Sequence, residues 1–170
     1  MTVCTTIDSP LGELLLVGEE SPTAPGGVAL ASLSVPGQKG GATVRSDWRH
    51  DPAAFTEAAA QLRAYFDGEL RDFDLEFTTQ GSPFQQQVWQ ALDTIPYGTT
   101  TSYGKLAERI GAPRSAVRSV GTALGANPLL LVRPCHRVIG ADGSLSGYAG
   151  GPERKQFLLT HEGALQPQLG

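Results

Sequence analysis

Apolar and polar positions follow two different rhythms along this chain. TVCTTIDSPLGELLLVG reads as two short strands around the SPLG turn, and GVALASLSV continues the β pattern. Residues 36–50 carry no periodic signal and read as loop. DPAAFTEAAAQLRAYFDGEL then changes period, with Phe55, Ala59, Leu62 and Phe66 on one stripe. Asp51 is the expected N-cap of this helix and Pro52 its first helical residue. DLEF adds a short strand before TTQGSP, whose turn-forming residues mark a boundary between domains 1–80 and 81–170.

Beyond that boundary the rhythm is mainly helical. Ser82 and Pro83 open a helix carrying Phe84, Val88, Ala91, Leu92 and Ile95, and Pro96 stops it. In SYGKLAERIGAPRSAVRSVGTALGANP, Tyr103, Leu106, Ala107 and Ile110 keep i, i+3, i+4, i+7 spacing. A turn with Gly111 and Pro113 follows, and Val117, Val120, Gly121 and Leu124 repeat the spacing, a helix-turn-helix pattern. The second helix is lined with small residues, Ser115, Ser119, Thr122, Ala123, Gly125 and Ala126, around Arg114 and Arg118. Such a face suits close approach to another helix or to a DNA backbone. RVIGADGSLSGYAGG reads as a hairpin turning at Asp142-Gly143 and ending in a glycine-rich loop. PERKQFLLTHEG is a last helix, started by Pro152 and ended by Gly163.

Charge sharpens the picture. The 170 residues carry a net charge of -4, yet between Tyr97 and Gly140 six cations (Lys105, Arg109, Arg114, Arg118, Arg133 and Arg137) face Glu108 alone. That local +5 leaves -9 elsewhere, an asymmetry that favours an anionic partner on one face. With 40% hydrophobic and 18% charged residues the chain is not a disordered acidic tail, and no apolar run approaches the roughly 20 residues of a membrane span. The N-terminal MTVCTTIDSPLG lacks a basic and apolar leader, so an intracellular location and no membrane partner are expected.

Two cysteines, Cys4 and Cys135, stand far apart and are both read as thiols. Cys4 sits in a strand-like segment with no neighbouring histidine and reads as core. Cys135, within RPCHRVIG, has a candidate base in His136, positive potential from Arg133 and Arg137, and a backbone fixed by Pro134. Adjacent side chains diverge in an extended strand, so His136 would reach the thiol through water. Glu162, a carboxylate in the last helical turn, opposes the helix dipole, and orienting a histidine is one reason to keep it there.

NPLLLVRPCHRVIG, SYGKLAERIGAPRSAVRSVG, GYAGG and HEG together resemble the O6-alkylguanine-DNA alkyltransferases, strongly from Phe84 to Gly163 and more loosely over IDSPLG and the first helix. The resemblance implies an α+β fold: a small N-terminal α/β domain, a ribonuclease H-like sheet plus helix, then a mainly helical C-terminal domain with the helix-turn-helix. It implies Cys135 as alkyl acceptor, activated through water by His136, which Glu162 orients. Asn127 matches the residue that braces the turn before the active-site segment, and Tyr148 the tyrosine that donates to the leaving guanine. Val138 with the backbone of Ala149 and Gly150 would complete the base pocket. Arg118 matches the arginine that enters through the minor groove, and Tyr103 the tyrosine that crowds the neighbouring phosphate. Arg114, Ser119, Thr122 and Arg133 are expected on the DNA side, Arg133 with an exposed head reaching a phosphate.

The implied partner is duplex DNA containing O6-alkylguanine, bound by a monomer, with cooperative assembly on DNA an open alternative. Each molecule should act once, because no residue suggests regeneration of the thiol. No cofactor is implied, and no metal: Cys4 and His50 have no convincing further ligands. The location is cytoplasmic, or nuclear in a eukaryote. Two departures stand out: Arg133 replaces the usual aliphatic residue, and Ala149 the serine of some members. Three other readings compete: a cysteine hydrolase built on Cys135, His136 and Glu162, a module that binds alkylated DNA without chemistry, and an ordinary DNA-binding regulator.

Overall fold

The computed structural model describes residues 1–165, which form two compact units, one ending at Gln80 and the next beginning at Gly81. In the first, β1 (Thr2–Ser9) and β2 (Gly12–Glu20) pair antiparallel. Their turn is held by Ser9, whose hydroxyl donates to Gly12 O (2.7 Å) and accepts from the Leu11 N–H (3.1 Å). These strands run longer than the sequence rhythm suggested. β3 (Val28–Ser34) pairs antiparallel with β2, and a two-residue β4 (Arg49–His50), unexpected from sequence, pairs parallel with β1. The order is β3-β2-β1-β4.

The α1 helix (Thr56–Phe66) buries Ala58, Leu62 and Tyr65. The buried stripe is thus shifted from the expected one, since Ala59 and Phe66 are only half-buried. Asp51 and Pro52 open a single 3-10 turn that buries Phe55, and the Asp51 side chain caps nothing. Phe55 leaves α geometry (φ -111°, ψ 17°), so α1 starts one turn later than expected. DLEF contributes only a bridge between Leu30 and Phe77. Cys4 is buried in β1, opposite Val17.

The second unit opens with α2 (Pro83–Leu92) behind a capping box: Ser82 Oγ accepts from the Gln85 N–H (3.1 Å) and Gln85 Oε1 from the Ser82 N–H (2.9 Å). It buries Val88, Trp89, Ala91 and Leu92, and the Trp89 indole donates to Ala123 O (2.9 Å). That bond pins α2 to α4 (Val117–Gly125), which with α3 (Tyr103–Arg109) forms the helix-turn-helix. Leu106, Ala107, Val120, Ala123 and Leu124 are its buried residues, so Ala123 faces the core rather than the small-residue surface expected of it. Gly111, at φ +75°, turns the chain between the helices, where glycine avoids a Cβ clash.

The expected hairpin after Arg137 does not form. A tight turn does close at Asp142-Gly143, through the Gly143 N–H to Gly140 O and the Gly140 N–H to Ser144 O (both 2.9 Å). But β6 (Val138–Ile139) pairs parallel with β5 (Thr101–Ser102), so its ladder goes to the residues just before α3 rather than to a returning strand. The final α5 (Pro152–His161) ends at Gly163 (φ +79°). Among the described residues, no helix is long and apolar enough to cross a membrane.

Candidate active site

Asn127, just past α4, is buried, and its amide knits the next turn. Nδ2 donates to Leu129 O and Arg133 O (3.3 Å each), and Oδ1 accepts from the Leu129 N–H (3.1 Å). Within this loop Leu131 takes φ +72°, a conformation costing a non-glycine residue about 1–2 kcal/mol. The loop delivers Pro134 into a 3-10 turn, Cys135–Arg137. The extended strand expected for Cys135 and His136 is therefore replaced by a turn, because Val132 and Cys135 close back onto Leu130 O (2.8 Å) and Arg133 O (2.7 Å).

The turn sinks its side chains. Cys135 is 5% exposed and His136 0%. His136 Nε2 lies 2.9 Å from Glu162 Oε2, and Arg137 clamps the same carboxylate, Nε to Oε1 at 2.8 Å and Nη2 to Oε2 at 3.1 Å. Arg137 also donates to Ile95 O (2.7 Å) and lies over the Tyr97 ring. A carboxylate that accepts from Arg137 offers His136 an acceptor, so Nε2 carries the proton and Nδ1 a lone pair. Burial holds the imidazole pKa below its ordinary value despite Glu162, so His136 is neutral near pH 7. Nδ1 is buried with no hydrogen-bond partner in the structure.

Burial pushes the Cys135 thiol up to about 11, opposed by a hydrogen bond from Asn127 and by the charge of Lys155. The resting group is therefore a thiol near pH 7. Arg133 and Arg137 do not supply the positive potential expected of them. Arg137 is committed to Glu162, and the cation acting on the thiol is Lys155, which sequence reasoning passed over. Lys155 lies on α5 two turns before Glu162, with Leu158 and Leu159 buried between them. A lysine on an otherwise apolar stripe was the signal available in the sequence.

Arg133 also departs from expectation. It is 7% exposed, its guanidinium lies 5.6 Å from the Trp89 ring centre, and it interacts with Asp93. An exposed head reaching for a phosphate does not exist here, because α2 offers a ring and a carboxylate within reach. The positive surface of this segment is consequently Lys105, Arg109, Arg114 and Arg118, all exposed. Ser119 and Thr122 are exposed on α4 beside Arg118, whose carbonyl accepts from the Thr122 hydroxyl (3.1 Å). A groove of about 560 Å³ runs along this side, lined by Ser102, Tyr103, Lys105, Arg114 and Val117. Tyr103 donates to Ser146 O (3.3 Å).

The Tyr148 ring stands edge-on to His136, centroids 6.5 Å apart, and its hydroxyl is buried with no partner in the structure. Burial and the neighbouring Cys135 raise its pKa well above the ordinary value, so it remains a donor. Gly150 allows this placement: a Cβ there would meet Tyr148 Cε2 at 2.6 Å. Val138 is fully buried, and Ala149, which follows Tyr148 in the chain, is half-buried. No group of three or more metal-ligating side chains occurs among the described residues.

The family model for the 6-O-methylguanine DNA methyltransferase ribonuclease-like domain matches residues 2–79, and that for the DNA binding domain residues 83–164. The methylated-DNA--protein-cysteine methyltransferase of Mycolicibacterium paratuberculosis is 51% identical over 157 residues, 92% of this chain and 90% of that protein. The chain belongs to the 6-O-methylguanine DNA methyltransferase family. A Mycobacterium tuberculosis member of the family is 50% identical over 162 residues, covering 95% of this chain and 93% of its own. The crystal structure of Mycobacterium tuberculosis OGT in complex with DNA aligns with a TM-score of 0.84 at 50% identity, over 95% of this chain and 92% of that one. The α+β fold expected from the sequence is the fold of this family.

Proposed function

We propose that this chain repairs DNA by moving an alkyl group from guanine O6 onto Cys135, once per molecule and irreversibly. The observation carrying the assignment is the buried run of Cys135, His136 and Glu162 beside a Tyr148 hydroxyl that has no hydrogen-bond partner among the described residues. Membership of a family whose relatives are named for this transfer supports it.

The lesion lies inside the base stack, so the nucleotide must be extruded at a cost of a few kcal/mol, less where pairing is already poor. Arg118, exposed on α4, fills the gap from the minor groove, and Tyr103 crowds the adjacent phosphate. Arg114, Ser119 and Thr122 hold the backbone. Val138 and the Ala149 and Gly150 backbone bracket the flipped base. His136 Nδ1 then takes the thiol proton through a water. The thiolate attacks the alkyl carbon, an S–C bond forms and the O6–C bond breaks. Tyr148 donates a proton to the departing guanine and regains one from the His136 imidazolium through water, so the net result is a thioether and guanine carrying the proton the thiol lost. The product thioether is a poor electrophile, and no group waits to cleave it. One chain holds every group the step uses, which supports a monomer as the acting unit, and the need for a reduced thiol and for DNA supports a cytoplasmic location, or a nuclear one in a eukaryote.

The direct test is intact-mass analysis after incubation with an O6-methylguanine duplex. A single methyl addition mapped to Cys135, plateauing at about one equivalent under excess substrate, is the expected result. Continued turnover without a mass change would favour a cysteine hydrolase instead. Arg118→Ala should slow transfer from duplex DNA by on the order of 100-fold while leaving reaction with free O6-benzylguanine near the wild-type rate, since only the duplex requires extrusion. Equal slowing of both substrates would remove Arg118 from the extrusion step.

A further inference from the structure

Tyr148 and Gly150 fold onto one another. The Gly151 N–H donates to Tyr148 O (3.0 Å), closing a turn over Ala149 and Gly150. Within that turn the Tyr148 ring lies over Gly150, where a Cβ would meet Cε2, Cδ2 and Cζ at 2.6, 3.3 and 3.4 Å. The ring is thus held between the edge-on imidazole of His136 and a glycine backbone. Gly147 (φ +86°) and Gly151 (φ +91°) flank this segment, a conformationally permissive residue at each end, so it needs a fixed point of its own. That point comes from α5. The Lys155 N–H donates to Gly151 O (3.1 Å), which leaves Gly150 O outside the helical ladder. Arg154, half-buried in the first turn of α5, reaches back and donates Nη1 to Gly150 O (3.1 Å). Side chains on a helix lean toward its N-terminus, which points Arg154 at this carbonyl.

We propose that Arg154 is a positioning residue for the leaving-group step: by pinning Gly150 O it fixes the glycine on which the Tyr148 ring rests, and so the direction in which the Tyr148 hydroxyl donates. This rests on the reading of Tyr148 as donor to guanine and extends it. A hydrogen bond from a charged donor is roughly twice as strong as a neutral one, so the guanidinium makes a firm anchor for an otherwise soft segment. Direction matters because a donor bond weakens steeply as its angle falls below about 120°. A loosened Gly150 lets the ring rock, and the rate is lost at the departing guanine rather than at the sulfur. Burial raises the Tyr148 pKa and the charge of Arg154 opposes that rise, so the same side chain eases the proton's departure. Arg154 keeps its own proton throughout.

The test compares two alkyl donors on the full chain: O6-benzylguanine, whose guanine takes up a proton as it leaves, and iodomethane, whose iodide needs none. Arg154→Met removes the donors at similar length, and Arg154→Lys keeps a charged donor. At saturating O6-benzylguanine the Met variant should transfer the benzyl group about tenfold more slowly, the worth of one charged hydrogen bond, and Lys should recover part of the loss. Iodomethane should methylate Cys135 in both variants within about twofold of the wild-type rate, since no leaving group is protonated. In a Tyr148→Phe background Arg154→Met should cost nothing further, because the group it positions is gone. Equal slowing with both donors would reduce Arg154 to packing and overturn the proposal, as would an unchanged O6-benzylguanine rate or a loss that persists in full in the Tyr148→Phe background. In the wild type, which needs no variant to fold, the Arg154 guanidinium protons should show nuclear Overhauser contacts to the Gly150 methylene, and their absence also overturns it. Failure of the donor reading has its own signature, a wild-type rate in Tyr148→Phe itself, and takes the proposal with it. Failure of the repair assignment appears instead as no methyl transfer from the lesion duplex.

Discussion

Cys135→Ser transfers no alkyl group from an O6-methylguanine duplex, yet still binds that duplex with near wild-type affinity. The first half follows from chemistry. A hydroxyl in the same buried site is a far weaker acid and nucleophile than a thiol, and His136, neutral and held by one carboxylate, is too weak a base to ionise it. The second half follows from geometry. Arg114, Arg118, Ser119 and Thr122 are exposed on and beside α4, whereas Cys135 sits 5% exposed in the turn behind Asn127. Replacing sulfur with oxygen leaves those surface groups in place. Labelled-methyl transfer and an electrophoretic binding titration read the two halves separately, and Cys4→Ser serves as the active control, since Cys4 is buried in β1 of the other unit. Methyl transfer persisting in Cys135→Ser would move the acceptor elsewhere.

Glu162→Ala should lose a large share of the protein's stability, about 3–5 kcal/mol. Glu162 takes three bonds at its carboxylate, two from Arg137 and one from His136. Its removal strands a buried guanidinium, and breaking such a pair costs about 3–5 kcal/mol against a total stability of about 5–15 kcal/mol. Glu162→Gln keeps an oxygen for His136 Nε2 but no charge for Arg137, so its loss should be smaller. Urea unfolding midpoints rank the three proteins. An Ala variant within about 1 kcal/mol of wild type would show that Arg137 is satisfied without Glu162.

What the sequence disclosed was local. Ser82, Pro152 and Gly163 mark helix ends because capping is decided within four residues, and those ends stand where the pattern put them. The helix-turn-helix was visible for the same reason. Contacts set by distant chain were hidden. Arg133 was read as a surface arginine because nothing nearby says that Trp89 and Asp93 lie against it. The Asp142-Gly143 signal did produce its turn, but the strand before it was claimed by Thr101 and Ser102. The shift of the α1 stripe by one residue traces to Phe55, whose burial takes the backbone out of α geometry. At the site, the residue types of the Cys135–His136 pair declared themselves in sequence. Their turn did not, nor did Lys155, since a lysine's burial depends on which carbonyl and ring it meets.

The depth at which Cys135 lies has a consequence for the protein's lifetime in a cell. A molecule that reacts once is lost whether it meets damaged DNA or a stray peroxide, and oxidants attack the thiolate form. Hidden from solvent and held as thiol by a pKa of about 11, Cys135 presents little thiolate to bystanders. Reactivity is released only when a base, a water and an electrophilic carbon meet in the pocket. The population of undischarged molecules is then drawn down by lesions rather than by time.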